Sequence, residues 1–255
     1  MSVLPGEGTH VILYGSLRIA ARTQIHNGYL ARPDLVGAYP TIVVVPDTAG
    51  VTSGIKDLAR RLARHGLAVL ALDLYRGDGP GRGDAEAAAA AYGNLSDARA
   101  LGDLGDIYRN LAAPGTDWAD SSAIGLLGVG VGGRLAILSA ANNDAIAAVA
   151  VAYAPLINDE GRAAQVSEVI GQLSVPLLGL QGKADEVVDE SQAVEAHRLQ
   201  PRSEWAFYPA GGHGFLDVSG DGYDEAITAD AVERLVAFFR SALVSPSQVP
   251  AVEAG

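Results

Sequence analysis

Short apolar runs rich in β-branched residues alternate with amphipathic, helix-patterned segments along most of this chain, and few folds accept that alternation. The runs are apolar at successive positions rather than at every second one. Strands of that kind are covered on both faces, which is the habit of a parallel sheet flanked by helices. The spacing predicts strands at Thr41–Val45, Leu67–Leu72, Ile124–Leu127, Ala145–Tyr153, Pro176–Gln181 and Glu204–Tyr208. It predicts helices from a Thr52 or Ser53 cap to Arg64, then Ala85–Ala91, Asp97–Ala112, Val131–Ala141, Glu190–Leu199 and Tyr223–Ala242. The stretch His10 to Ala31 reads as antiparallel strands at one sheet edge, and Gly77–Asp84 (GDGPGRGD) as a loop or lid. With no repeat and no linker, one domain over residues 1–244 is expected, followed by a flexible tail, Ser245–Gly255.

Composition removes several functions. There is no cysteine, so disulfides, thiolate nucleophiles and cysteine metal sites are excluded. With 18 basic and 30 acidic residues the net charge is −12, which disfavours nucleic acid and anionic membrane and leaves a small molecule as the expected partner. Met1 to Gly15 lacks the pattern of a signal peptide and the longest apolar run, Ala145 to Ile157, is too short to span a bilayer, so the cytoplasm is the default location. His10, His26, His65, His197 and His213 are scattered without metal-ligand spacing, and no metal is expected.

Three spots at the C-terminal ends of expected strands carry chemistry, at the sheet edge where open α/β folds bind ligands. The first is Gly128-Val129-Gly130-Val131-Gly132-Gly133. It fits a dinucleotide fingerprint, but the acid expected about 20 residues on, which would hold a ribose, is replaced by Ala148 to Ala152, and no cofactor is expected. It fits a nucleophile elbow better, with small residues around a sharp strand-to-helix turn, yet the nucleophile slot falls on Gly130. The second spot is Asp185 in GKADEVV, right after a strand, and the third is His213 in GGHGF, after the last strand. Asp185 has a plain reading as the cap of a turn, whereas a histidine in a glycine-rich loop behind a terminal strand is hard to explain as core packing. Their order (nucleophile slot, acid, histidine) is that of the α/β hydrolases.

From about Gly28 to Phe239 the chain resembles the dienelactone hydrolase family, through GYLARP, VVVPDTAGV, DLARRLARHG, LDLYRG, GVGVGG, GKADEVV and GGHGF. The resemblance implies an α/β-hydrolase fold, a mostly parallel sheet with helices on both faces. It implies His213 as general base, Asp185 as its orienting acid, and the backbone N–H groups of Thr48 and Val131 as an oxyanion hole. Asp47 takes the place of a Glu or His that helps manage the family's nucleophile. Two departures stand out. Gly130 replaces the Cys or Ser nucleophile, and Leu216 and Asp217 stand where dienelactone hydrolases have a carboxylate-gripping arginine. Three readings stay open: an ester, lactone or related carbonyl enzyme working through His213 and Asp185 without an acyl intermediate, a small-molecule binding protein, or a Ser/Cys hydrolase with its nucleophile replaced by glycine. With His213 near its reference value of about 6.5, the first would work at neutral pH.

Overall fold

The computed structural model describes residues 8–243 apart from 22–23, 78, 81–82 and 158–163, so the expected tail Ser245–Gly255 lies outside the described residues. Eight strands form one sheet in the order β1-β2-β4-β3-β5-β6-β7-β8. Strands β1 (Ile12–Ala20) and β2 (Ile25–Pro33) form the antiparallel edge, β2 pairs antiparallel with β4 (Ala68–Leu72), and β3 (Tyr39–Val45) pairs parallel with β4. Strands β5 (Ala119–Val129), β6 (Ile146–Ala152), β7 (Leu177–Gly182) and β8 (Glu204–Tyr208) continue the sheet in parallel. Among the described residues, no helix is long and apolar enough to cross a membrane.

The continuous apolar runs have the expected cause. Val43 and Val45 of β3 pack on one face, against Leu104 and Ile107 of α3 (Asp97–Leu111) and Leu135 of α4 (Gly132–Ala140). Ile42 and Val44 pack on the other, against Leu58 and Leu62 of α1 (Ser53–Ala63) and Leu235 and Phe239 of α7 (Glu225–Leu243). Side chains alternate across a strand, so a strand covered twice must be apolar throughout. Helix α1 starts where expected, because the Thr52 hydroxyl accepts the Ile55 N–H at 3.2 Å. The chain leaves β3 toward β4 and leaves β5 toward β6, with α1 and α4 on opposite faces. The crevice beyond the ends of β3 and β5 is therefore the topological switch point.

Two elements differ from expectation. β5 begins at Ala119 rather than Ile124, because Tyr39 and Pro40 continue the ladder to Ala119 and Asp120, where polar side chains hide the strand from an apolar pattern. A short helix, α5 (Val166–Val169), and a 3-10 turn, Ile170–Gln172, were not expected; they are too short to show a period. The helices α2 (Ala85–Asn94) and α6 (Ser191–Leu199) lie within a few residues of their expected bounds.

Arg134 of α4 is fully buried and makes a bidentate pair with Asp97, the first residue of α3, at 2.8 and 2.7 Å, and it also donates to the Ala164 carbonyl. A buried guanidinium that loses its carboxylate is left uncompensated. Asp97→Ala is expected to cost about 3–5 kcal/mol in urea unfolding. Replacing both partners, as Asp97→Leu with Arg134→Met, is expected to recover most of it.

Candidate active site

The site begins with a turn that excludes side chains. Gly130 has φ +54°, the left-handed region, and it ties its N–H to the Ala152 carbonyl at 3.0 Å. The start of α4 lies so close to β3 that a Cβ on Gly132 would sit 2.1 Å from the Val45 carbonyl oxygen. This approach brings Asp47, two residues past β3, against residue 130. A Cβ on Gly130 would fall 2.2 Å from both Cγ and Oδ1 of Asp47. The carboxylate thus occupies the volume into which a residue-130 side chain would grow. Its Oδ1 accepts the Val131 N–H at 3.1 Å, at the positive end of α4. In its plainest role Asp47 caps that helix.

His213 lies opposite. Its Nδ1 is 3.1 Å from Asp185 Oδ2, and Asp185 Oδ1 accepts the backbone N–H groups of Val187 and Val188 at 2.8 Å each. Because Asp185 is the acceptor, Nδ1 carries the proton and Nε2 faces Asp47, whose Oδ2 is 3.7 Å away. At that distance the contact is a charge interaction rather than a hydrogen bond. Burial alone would lower the imidazolium pKa, but the hydrogen bond to Asp185 and the Asp47 carboxylate outweigh it and raise His213 to about 9. The expectation of a histidine near 6.5 is therefore corrected: it omitted two carboxylates from distant parts of the chain. Burial likewise pushes the Asp185 carboxyl up, yet the hydrogen bonds from His213 and Val188 bring it below the usual carboxylate value.

Asp47 and His213 open on a cavity of about 230 Å³ lined also by Ile55, Val129, Tyr153 and Asp217. Tyr153, at the end of β6, has φ +39° and stands edge-on to the His213 ring with centroids 5.1 Å apart. From the sequence Tyr153, like Tyr14, Tyr75, Tyr92 and Trp118, reads either as a pocket wall or as packing; the structure places it in the lining of this cavity. Asp217, in the loop after His213, accepts from the Thr52 hydroxyl at 3.2 Å and so ties the histidine loop to α1, while Leu216 is buried. A larger cleft of about 570 Å³ lies beyond Ala49 and Gly50, lined by Arg18, Lys56 and Asp73, and contains neither Asp47 nor His213. The smaller cavity holds the reactive groups and is the candidate site. Thr48 N–H has no hydrogen-bond partner among the described residues, whereas Val131 N–H is engaged by Asp47.

Among the described residues, no group of three or more His, Asp or Glu is placed to hold a metal ion. A sequence model of the dienelactone hydrolase family matches residues 26–243. A protein of Methylorubrum extorquens named as a carboxymethylenebutenolidase is 31% identical over 238 residues, covering 90% of this chain and 81% of that one. A Bradyrhizobium protein named as a 2-oxo-3-(5-oxofuran-2-ylidene)propanoate lactonase is 28% identical, covering 91% and 96%. A crystal structure from Klebsiella pneumoniae described as a dienelactone hydrolase superposes with a TM-score of 0.82 at 27% identity, covering 90% of this chain and 99% of that chain. The α/β-hydrolase fold follows.

Two expectations test this geometry. Gly130→Ala is expected to destabilise the protein by about 2 kcal/mol from the left-handed backbone alone. Collision with Asp47 adds to that, so the same change costs less in an Asp47→Ala background, as a double-mutant cycle in urea would measure. An NMR titration of His213 is expected to show a midpoint of about 9 that falls in Asp47→Asn. Since the folded value lies above the reference 6.5, the stability this pairing contributes is complete below 6.5 and lost as pH rises through about 9.

Proposed function

The chain belongs to the dienelactone hydrolase family, and on that premise we propose that it hydrolyses an uncharged ester or lactone by direct attack of water, with no acyl-enzyme on residue 130. The observation that carries this reading is the pairing of His213 with Asp185 at 3.1 Å beside a turn whose residue 130 has no side chain to acylate. In its neutral form His213 takes the proton from a water through Nε2, while Asp185 holds the ring and stabilises the imidazolium. At 3.7 Å, Nε2 and Asp47 Oδ2 are close enough for one water to hydrogen-bond to both. Thr48 N–H, and Val131 N–H once Asp47 gives up its hydrogen bond, are the donors for the oxyanion. Such a donor contributes about 3 kcal/mol to the transition state. The imidazolium then returns its proton to the departing alkoxide.

The substrate class follows from charge. The names of the relatives supply the lactone. The described lining of the cavity holds Asp47, Asp217 and Asp221 and neither lysine nor arginine. An anionic lactone meets repulsion there and an uncharged one does not, so a carboxylate-bearing dienelactone is a poor fit.

Short-chain 4-nitrophenyl esters test the reading. Turnover is expected without a burst, because no acyl-enzyme accumulates. It is expected to rise with pH through about 9, since His213 acts only as the free base. Below that point each pH unit costs about tenfold. His213→Ala is expected to lose roughly a hundredfold to ten-thousandfold. Turnover unchanged in His213→Ala would sink the proposal.

A further inference from the structure

We infer that Asp47 is itself a covalent nucleophile and that this site opens epoxides, Asp47 Oδ2 attacking a ring carbon to give a hydroxyalkyl ester that His213 and water cleave to a diol. The first ground is position. Asp47 Cγ and Oδ1 lie 2.2 Å from where a Cβ of residue 130 would be, so the carboxylate stands in the missing nucleophile's place. The second is orientation. Val131 N–H holds Oδ1 at 3.1 Å, and Oδ2 is left on the His213 side of a carboxylate that borders the cavity. Asp47 and His213 side chains are 31% and 25% exposed, so a small molecule can reach both.

The electrophile follows from what Val131 N–H already does. Attack of Asp47 on an ester would put negative charge on a substrate carbonyl oxygen, while of the two N–H groups that could receive it Val131's is engaged by Asp47 itself and Thr48's alone is left. Attack on a saturated ring carbon makes no such oxyanion. The O–C bond to Asp47 forms, the ring C–O bond breaks, and the ring oxygen takes the proton of the His213 imidazolium. His213 is in that protonated form at neutral pH, since its carboxylate neighbours raise it to about 9. The imidazole left behind then takes a proton from water as the water oxygen bonds to Asp47 Cγ. The resulting oxyanion is Oδ1, to which Val131 N–H already donates. Collapse breaks the bond from Cγ to the alkoxide, which takes the carboxyl proton and leaves as the diol. Asp47 returns as carboxylate and His213 as imidazolium, with one water consumed and no redox partner needed. This reaction shares its base with ester hydrolysis but not its electrophile, so either can fail without the other.

Styrene oxide and the smaller propylene oxide are suitable probes for the full chain. In water labelled with ¹⁸O, the first turnover is expected to give a diol carrying unlabelled oxygen, and later turnovers leave ¹⁸O in the Asp47 peptide by mass spectrometry. His213→Gln, which removes the acid of the first step as well as the base of the second, is expected to lose diol formation, and any epoxide adduct it traps is expected on Asp47 in preference to Asp217 and Asp221 of the same cavity. Asp47→Asn and Asp47→Ala are each expected to lose diol formation roughly a thousandfold or more. The inference is overturned if both Asp47 variants keep forming diol, or if turnover leaves Asp47 unlabelled. It is equally overturned if adducts settle on Asp217 or Asp221, or if neither epoxide gives a diol or an Asp47 adduct. Hydrolysis of nitrophenyl esters in the same preparations reports separately on the ester reaction.

Discussion

Everything at the site depends on how closely the start of α4 approaches the end of β3. The Val45 carbonyl oxygen lies where a Cβ of residue 132 would be, at 2.1 Å, so the approach is open only to glycine. It brings the turn after β5 under the turn after β3 at the switch point of the sheet, where chain direction leaves a crevice. A wider separation would move Val131 N–H out of reach of Asp47 and leave an empty space beside Gly130. Backbone packing, rather than any single reactive residue, therefore decides that a carboxylate stands where a side chain of residue 130 would grow.

That carboxylate changes the electrostatics of its neighbour. His213 lies between Asp185, whose side chain is fully buried, and Asp47, which borders the cavity. Two negative groups outweigh burial, and the imidazolium persists to about pH 9. In a Ser-His-Asp triad the serine is neutral at the start, and the histidine has one carboxylate behind it. Here the carboxylate in front makes the resting histidine an acid. A site of this kind is poised to give a proton before it takes one, and the bases it would need are supplied only after that proton has gone.

Much of the fold was legible because its strands are covered on both faces. Runs such as Thr41–Val45 and Leu67–Leu72 are apolar or β-branched at every position, and structure assigns strands there within two residues. The first half of β5 escaped because Asp120, which pairs with Pro40, and Ser121 and Ser122, which fall at the register shift before Ile124, are polar, so hydrophobic pattern carries no signal. Asp185 and His213 were legible because each follows a strand in a glycine-containing loop, in the chain order of a known chemistry. Their 3.1 Å contact joins residues 28 apart, and local pattern gives only its plausibility.

The sequence by itself determined the layered α/β architecture, the absence of a side chain at residue 130, and the absence of thiol chemistry. These follow from periodicity and from residue identity, which need no partner in space. Tertiary structure decided what occupies the space at Gly130, which nitrogen of His213 faces it, and how strongly that histidine holds its proton. Asp47, Gly130, Asp185 and His213 come from the ends of four strands, and energies that fall off within a few ångströms depend on how those ends are packed.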